Sequence, residues 1–514
     1  MSLQQISTNP LAGKALKGIG HRHYVYLILM FAAGFRFISL TGRYFWCDEA
    51  SSVLTSRYDV SALLYHASFD VHPPLYYLLL RGWMLLFGDS IFAARSLSLL
   101  FGVITVALAI KLTRKVANER AALLAGSLMA MMPMAVRYSQ EARMYALMGM
   151  LTIAATLALV MWLKTPADRR YLAVYALLMA LSFYTHYFTI FALMTHWIVL
   201  LALSCRRDEP QRYLRQPAWW LANLAIGLAY IPWLLVLVNL LDHIAELKVG
   251  GDVGWIPQVV WSDLPAMYWR LFTGDDGRGY PAIIFWLLPL CFTGLSCLWL
   301  MGRRGERKYL LLLLCSVFIP VTLLFIISFR TPLFVDRYLF FASLGIPIIL
   351  ALLITESEKK AHRILLLLLV SLLFGSGLRN DYPTEKDEFK AMVRYINSGY
   401  QPDDAVVVDN MFNYLSYVYY NEKGHRALLY TPVKPNGISG KPNAYGFGTF
   451  FHDRAAQTYV DNLNALVGPH RRVWLVSGGD FNQDFGRLPS GWANTSTFKS
   501  GGFESRLFIV KSGR

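Results

Sequence analysis

The segment "FWCDEASS", residues 45–52, decides the fold, because it places two adjacent carboxylates directly after the first long apolar run of the chain. These are Asp48 and Glu49. A charged side chain at the centre of a bilayer costs about 2.5–3.5 kcal/mol on insertion scales. Ionisable groups next to a membrane span therefore tend to face a water-accessible cavity and to have a function. The pair indicates a membrane protein with a polar site at one surface of the bilayer.

The composition outside this segment also indicates a membrane protein. The chain has 514 residues, of which 55% are hydrophobic and only 16% are charged, and its mean hydropathy is +0.39. A soluble domain carries about 25% charged residues. We predict about eleven transmembrane helices, give or take two, at apolar runs long enough to span a bilayer: 24–40, 91–112, 120–137, 144–163, 171–185, 187–204, 218–240, 281–300, 308–328, 338–355 and 364–379.

The last part of the chain has an ordinary soluble composition, so we divide the sequence into a membrane domain, 1–379, and an extracytoplasmic domain, 380–514. Predicted helices and short apolar strands alternate there, which is typical of a small α/β domain. The predicted helices are 385–398 and 453–466, and the predicted strands are 405–408, 426–430, 472–478 and 506–512. A segment rich in Gly, Pro, Asn and Lys, 431–450, is predicted to be a loop.

Loops rich in lysine and arginine alternate along the chain with loops that contain few of them, and this pattern predicts the orientation of the protein in the membrane. The basic loops lie at 114–120, 164–170, 206–215, 303–308 and 359–363, and should be cytoplasmic. The intervening loops, 41–90, 137–143, near 186, 241–280 and 329–337, should face the other side. The chain is thus predicted to be a multi-pass protein of the inner (plasma) membrane, with a cytoplasmic N-terminus and a periplasmic C-terminal domain. The formal net charge of +16 forms no basic stripe with interleaved aromatics, so no nucleic-acid partner is expected.

The first outer loop, 41–90, contains two predicted amphipathic helices, 60–69 and 73–87. Prolines 73 and 74 suit the first turn of the second helix, where a missing N–H costs nothing. Aromatic side chains along it suit the lipid headgroup layer. Arg81 would disrupt a spanning helix unless it were paired, so this helix is predicted to lie along the membrane surface.

Two further outer turns concentrate polar residues. In "VRYSQEARMYAL", residues 136–147, Arg137, Glu141 and Tyr145 would share one helical face if the helix continued through them. The segment "SFRTPLFVDRYLFF", residues 328–341, is a similar turn. The simplest alternative is that these are ordinary solvated loop residues.

Together, the acidic pair after the first span, the Pro-Pro helix, the Arg-Tyr turn after the third span and "FVDRYL" resemble the polytopic GT-C glycosyltransferases. The resemblance covers roughly residues 20–380. It is strongest to the bacterial branch that includes protein O-mannosyltransferases and lipid A aminoarabinose transferases. It implies a polyprenyl-phosphate sugar donor and an extracytoplasmic glycan, lipid or protein acceptor, with membrane lipids around the enzyme. The residues agree, since no P-loop and no G-x-G-x-x-G motif is present to handle a nucleotide.

The resemblance places the family's catalytic aspartate at Asp48. As a general base it would take the proton of the acceptor hydroxyl as that hydroxyl attacks the anomeric carbon, and a single displacement would invert the configuration. Glu49 would orient the site or bind the acceptor. The structural alternative is that both carboxylates only stabilise a helix N-terminus.

The leaving lipid phosphate is stable as an anion, so the enzyme needs positive charge there more than a strong acid. Relatives often have a lysine before the Pro-Pro pair, where this chain has His72, a departure from the pattern that could still donate a hydrogen bond. The candidate phosphate-binding residues are His72, Arg137, Arg143, Arg330, Arg337 and Tyr338.

Weaker substrate-binding candidates are Asp70, Tyr145, His186 and Trp255. His186 is as well explained by packing between spans, and Trp255 by anchoring at the headgroups. No cofactor is expected. A metal held by Asp48, Asp70 and His72 is not indicated, because the ligand spacing is open. The five cysteines form no CxxC pair and predict neither a disulfide framework nor a zinc site.

A transporter or flippase of polyprenyl-linked sugars is the main alternative function. Transporters often show internal repeats and spans broken at mid-membrane. Neither is clear in this sequence, and its ionisable residues are concentrated in the outer loops. A sensor or scaffold with a periplasmic domain would leave the polar outer turns unexplained.

Overall fold

The computed structural model describes residues 10–206, 212–249, 256–302, 307–380, 387–433, 439–442, 445–454, 458–467 and 471–510. Helices dominate the first three quarters of the chain: α1 Pro10–Phe37, α2 Cys47–Arg57, α3 Val60–Ser68, α4 Leu75–Phe87, α5 Ile91–Val116, α6 Glu119–Met131, α7 Pro133–Ser139, α8 Tyr145–Lys164, α9 Arg170–Phe183, α10 Ile190–Ser204, α11 Pro217–Val249, α12 Asp263–Thr273, α13 Ala282–Gly302, α14 Arg307–Ser328, α15 Phe340–Ser343, α16 Gly345–Glu356 and α17 Lys360–Asn380. The remainder is mixed: α18 Glu388–Gly399, β1 Ala405–Val408, α19 Met411–Tyr420, β2 Ala427–Tyr430, β3 Tyr459–Val460, β4 Arg472–Ser477, α20 Phe481–Phe485, β5 Trp492–Ser500 and β6 Phe503–Val510.

The chain forms two compact units. The membrane unit contains residues 1–38 and 95–382, and the mixed unit contains residues 39–94 and 383–514. The predicted amphipathic helices of the first outer loop, now α3 and α4, therefore belong to the same compact unit as the C-terminal sheet.

Eight described helices are long and apolar enough to cross a membrane: Ile91–Val116, Tyr145–Lys164, Tyr187–Ser204, Pro217–His243, Ala282–Gly302, Arg307–Ser328, Asp336–Glu356 and Lys360–Arg379. The pair α6 and α7 makes a ninth if the two count as one span, bent by 59°. Helix α9 is too short, because its 14 residues extend only about 21 Å against a hydrocarbon core of about 30 Å. All eleven predicted segments contain helix, but 24–40 in α1 and 171–185 in α9 are not among these candidate spans, which leaves eight or nine in the described part of the chain. The structure confirms a polytopic helical protein.

Helix α8 lies at the centre of the membrane unit, where most of its side chains are buried. Its Gly149 has no room for a side chain, since a Cβ there would come within 2.9 Å of the Phe340 ring and 2.8 Å of Leu344. In contrast, α11, α13 and α17 expose most of their apolar side chains. Exposed leucine and isoleucine on spanning helices are the surface expected to contact lipid tails.

The mixed unit contains a six-stranded sheet in the order β3-β2-β1-β4-β6-β5. Strands β3, β2, β1 and β4 are parallel, whereas β6 and β5 are antiparallel additions. Central strand β1 is buried along its whole length, as expected for an apolar run covered on both faces. Val407 pairs with Leu475 of β4, and both are completely buried. The predicted C-terminal α/β domain is thus confirmed.

The predicted helix 453–466 is wrong. The described part of this segment contains the end of a 3₁₀ helix, the two-residue strand β3 and another 3₁₀ helix, Leu463–Leu466. Strand β3 pairs with β2, and the backbone N–H of Thr431 donates to the carbonyl of Val460. The side chain of Asn462 accepts a hydrogen bond from the N–H of Asn464, a local contact that competes with helix formation. Helix α19 and strand β5 were not predicted.

Asp409 follows β1 directly and ties the end of β1 to the end of β4. Its Oδ2 accepts a hydrogen bond from the N–H of Gly478 at 2.9 Å, and both carboxylate oxygens accept from Asn413 Nδ2, at 2.9 and 3.0 Å. Burial raises the pKa of Asp409 to about 7, against the opposing effect of these hydrogen bonds, and nearby Asp484 adds to the increase. The carboxyl group therefore keeps its proton to a higher pH than an ordinary aspartate does.

Candidate functional site

The turn that carries Arg137 is positioned by a break between α6 and α7. Pro133 begins α7 and has no N–H to donate to the carbonyl of Met129, four residues earlier. Arg36 of α1 supplies the missing donors, with Nη2 3.2 Å from Met129 O and Nη1 3.0 Å from Ala130 O. Its guanidinium is completely buried at the negative end of the α6 dipole. A buried cation thus stabilises the bend.

The same arginine also holds the far end of α7. Arg36 Nε donates to Ser139 Oγ at 3.1 Å. Next to it, Gln140 Nε2 donates to the carbonyls of Arg36, at 2.9 Å, and Ile38, at 2.8 Å. A Cβ on Gly102 would overlap Ser139 Oγ, so only glycine allows this close approach. The sequence indicated none of these contacts.

The helix does not continue through Arg137, Glu141 and Tyr145, because α7 ends at Ser139 and α8 begins at Tyr145, so the three side chains do not share one helical face. Arg137 and Glu141 still form an ion pair, with Nε 3.4 Å from Oε1. Tyr145 instead packs its ring 5.0 Å from that of Tyr138. The break re-aims these side chains, since residues on a bent segment no longer follow the 3.6-residue period.

The two polar turns, 136–147 and 328–341, meet within the membrane unit. The Tyr138 hydroxyl donates to Asp336 Oδ2 at 3.2 Å, a contact between residues 198 positions apart in sequence. The Tyr138 ring also lies 5.0 Å from Phe340. Each turn places a guanidinium near its own tyrosine, with Arg137 5.8 Å from the Tyr138 ring and Arg337 5.9 Å from the Tyr338 ring.

His186 joins these two turns from a third segment. Its ring lies 6.0 Å from Tyr145 and 5.6 Å from Tyr338, and its Nδ1 accepts a hydrogen bond from the N–H of Phe188. Because Nδ1 is the acceptor, it carries no proton, and the ring proton is on Nε2. We call the resulting group the arginine–tyrosine cluster: Arg137, Tyr138, Glu141, Tyr145, His186, Asp336, Arg337 and Tyr338.

Three other predicted site residues are not among those that define this cluster. Arg143 is buried, and its carbonyl accepts a hydrogen bond from Ser98 Oγ at 3.3 Å. Arg330 is exposed just after α14, and its side chain makes no hydrogen bond or ion pair with any residue that the structure describes. Trp255 lies outside the described residues.

In the mixed unit, Asp48 and Glu49 occupy the first turn of α2, where carboxylates interact favourably with the helix dipole. They are 8% and 0% exposed. Ser52 Oγ donates to the carbonyl of Asp48 at 2.9 Å, which helps to fix the backbone of this turn. Burial of two adjacent carboxylates costs free energy unless each is paired or hydrogen-bonded. Two buried acidic side chains in one helical turn are therefore unusual for a purely structural segment.

Asp70 holds the loop before α4. Its Oδ2 accepts a hydrogen bond from the Tyr77 hydroxyl at 2.5 Å, and its Oδ1 accepts one from the N–H of Val71 at 2.7 Å. His72 Nδ1 lies 3.8 Å from Asp70 Oδ1. These contacts orient the His72 imidazole. Within the ranges described above, no group of three or more His, Cys, Asp and Glu side chains is arranged to hold a metal.

The guanidinium of Arg81, a charged group in an otherwise apolar helix, is paired with backbone carbonyl groups. Its Nη1 donates to the carbonyls of Ser56 and Arg57, each at 3.4 Å, and to that of Tyr58. These are carbonyls at the C-terminal end of α2, where a cation is favourable. Arg81 thus fixes α4 against the helix that carries Asp48 and Glu49.

Comparisons with known proteins agree with this architecture. Residues 71–235 match the family model described as dolichyl-phosphate-mannose-protein mannosyltransferase. The crystal structure of ArnT from Cupriavidus metallidurans in the apo state covers 95% of this chain and 98% of its own, with 12% identity and a TM-score of 0.64. ArnT bound to undecaprenyl phosphate covers 94% and 98%, with 12% identity and a TM-score of 0.61.

A more distant similarity is to the apo oligosaccharyltransferase of Archaeoglobus fulgidus, which has 13% identity and a TM-score of 0.50 and covers 79% of this chain and 64% of its own. No curated protein matches the sequence. The chain therefore has the fold of the GT-C glycosyltransferases and resembles the branch of that superfamily that includes ArnT and the protein mannosyltransferases.

Proposed function

We propose that the protein is an inverting glycosyltransferase of the inner membrane. It transfers a sugar from a polyprenyl-phosphate donor to a glycan, lipid or protein acceptor on the extracytoplasmic side. The observation that carries this proposal is the arginine–tyrosine cluster, in which the bond from Tyr138 to Asp336 and the ring contacts of His186 with Tyr145 and Tyr338 join the two turns that carry Arg137 and Arg337. The fold supports it, because ArnT has been crystallised with undecaprenyl phosphate.

The donor phosphate is assigned to Arg137 and Arg337. Guanidinium groups bind phosphate oxygens in a bidentate way and stay charged at any physiological pH. The bond between Tyr138 and Asp336 holds the two turns together, so both arginines are oriented before the donor arrives. Pre-organised charge of this kind stabilises the negative charge that builds up on the leaving phosphate. His72, Arg143, Arg330 and Tyr338 remain candidates for secondary contacts with the donor.

Asp48 is assigned as the general base. The acceptor hydroxyl oxygen attacks the anomeric carbon, the bond from that carbon to the phosphate oxygen breaks, and the proton passes to the Asp48 carboxylate. Polyprenyl phosphate leaves as an anion. Glu49 is assigned to acceptor orientation, and Asp70, Tyr145, His186 and Trp255 to weaker substrate contacts.

The decisive experiment measures transfer and donor binding separately, with purified protein in nanodiscs and a radiolabelled polyprenyl-phosphate sugar. D48N should reduce transfer by about 10²–10⁴-fold, the usual contribution of a general base, while donor affinity stays unchanged. R137Q and R337Q should each weaken donor binding by about tenfold or more, as expected for losing a charge-assisted hydrogen bond. E49Q is the matched control next to Asp48 and should have a smaller effect on transfer. Near-normal transfer by D48N would remove the assigned base.

The transporter hypothesis gives a different result in the same system. A flippase in proteoliposomes would move labelled donor between leaflets without forming a glycosylated product. The proposed orientation is tested by fusing alkaline phosphatase to the C-terminus, since this enzyme is active only outside the cytoplasm. An inactive fusion with an active cytoplasmic reporter would contradict the proposed side of action.

A further inference from the structure

The mixed unit contains a pocket of about 640 Å³ that none of the residues assigned to donor binding or catalysis lines. It lies between the end of α2, helix α19 and the turn that leads into β2. Pockets for small ligands usually measure about 300–1,000 Å³ and combine aromatic walls with a few polar groups. This pocket has the size of a mono- or disaccharide site.

Cationic side chains dominate the charge of the pocket. Arg57 and Arg426 line it, and no aspartate or glutamate is among the described residues that do so. Arg57 is held in place, with Nη2 2.8 Å from Asp89 Oδ2 and its guanidinium 5.5 Å from the Tyr419 ring. The Tyr419 hydroxyl in turn donates to the carbonyl of Asp89. The second guanidinium, that of Arg426, lines the pocket on an exposed side chain, and guanidinium groups match the geometry of phosphate and carboxylate oxygens, which favours an anion.

Two further residues that line the pocket carry polar atoms that could form hydrogen bonds with a ligand hydroxyl group. His425 Nδ1 and Asn421 Oδ1 are buried and have no hydrogen-bond partner among the residues that the structure describes. His425 Nε2 lies 2.5 Å from the Tyr417 hydroxyl, and its ring stacks on Tyr400 at 4.1 Å. Burial lowers the pKa of His425, so the imidazole is neutral. If Tyr417 donates to Nε2, Nδ1 carries the proton, and the pair presents one donor and one acceptor.

An ordered aromatic wall completes the pocket. Tyr58 stacks on His66, with ring centroids 4.3 Å apart, and Phe450 stacks on the same imidazole at 6.1 Å. His66 Nδ1 is fixed by Thr449 Oγ1 at 2.8 Å. Tyr58 and Phe450 both line the pocket. Flat aromatic faces supply apolar contact area at little cost in conformational entropy, and they fit the C–H face of a sugar ring.

We propose that this pocket binds an anionic saccharide, a sugar ring that carries a phosphate or a carboxylate group. Arg426 and Arg57 would contact the anionic group, Asn421 and His425 a ring hydroxyl, and Tyr58 and Phe450 the face of the ring. This proposal is independent of the proposed glycosyl transfer, because no residue of the arginine–tyrosine cluster and neither Asp48 nor Glu49 takes part in it.

The test uses the full-length protein in nanodiscs and isothermal titration with four probes: glucose 1-phosphate, glucuronic acid, glucose and inorganic phosphate. We expect binding of glucose 1-phosphate, glucuronic acid or both, at least about tenfold tighter than binding of glucose or inorganic phosphate. The probe that binds tighter identifies phosphate or carboxylate as the anionic group. Equal affinity for glucose would overturn the anionic part of the proposal, and equal affinity for inorganic phosphate would overturn the saccharide part.

Two variants locate the binding site. R426E should weaken binding of the preferred probe by about tenfold or more, which corresponds to about 1.4 kcal/mol. Arg394 provides the matched control, because it is exposed on α18, does not line the pocket, and R394E changes the net charge equally. N421A, which leaves the charge intact, should weaken the anionic sugar but not inorganic phosphate. Equal losses in R426E and R394E, or no binding of any probe to the wild-type protein, would overturn the proposal.

Discussion

Replacing Arg36 with methionine should destabilise the membrane unit, and the structure gives the size of the effect. The change keeps a long apolar stem and removes three interhelical hydrogen bonds, to Met129 O, Ala130 O and Ser139 Oγ. Polar bonds between membrane helices contribute about 0.6 kcal/mol on average and at most about 1.7 kcal/mol each. The expected loss is therefore about 2–5 kcal/mol. The upper end applies if Met129 O finds no other donor, because Pro133 cannot supply one.

The assay is equilibrium unfolding of the purified protein in mixed detergent micelles, followed by helical circular dichroism. R22M is the matched control, since Arg22 lies on the same helix and is exposed, and it should change the unfolding free energy by less than about 0.5 kcal/mol. R36K should have an intermediate effect, because a single ammonium cannot reproduce the fork of donors of a guanidinium. R36M as stable as R22M would refute the reasoning that a buried guanidinium stabilises the break between α6 and α7.

Three further predictions follow from the packing and electrostatics. G102A should lower the midpoint of thermal unfolding, because its methyl group would overlap Ser139 Oγ and overpacking costs about 1–3 kcal/mol; G34A, at a position with open space, is the control. Y138F should weaken binding of the radiolabelled donor while leaving the fold intact, since it removes only the bond to Asp336; unchanged affinity would contradict the positioning role. For Asp409, whose pKa is raised to about 7, the folded state holds the proton more tightly than the unfolded chain. The mixed unit should therefore lose stability as pH rises from about 4 to 7, by at most about 4 kcal/mol. D409N should abolish this loss in thermal unfolding at pH 5.5 and 8, and an identical pH dependence in both proteins would show that another group is responsible.

The sequence by itself determined the class of the protein and the position of most elements. Apolar runs identify membrane helices because hydropathy and length are local properties. The buried strands 405–408 and 472–477 were visible for the same reason, as short apolar runs bounded by turn residues. The resemblance to GT-C enzymes also depended on local motifs, such as "FVDRYL".

Only the tertiary structure decided how the polar turns are built. The break before Pro133 depends on Arg36, more than 90 residues earlier in the chain, and the contact of Tyr138 with Asp336 spans 198 residues. Neither contact leaves a periodic signal, since each joins single residues of distant segments. The segment 453–466 has a helix-like pattern, but pairing of β3 with β2 overrides that local preference. Patterns along the chain report which face of an element is buried, whereas the partner of a buried arginine or a short strand is determined by the packing of the whole unit.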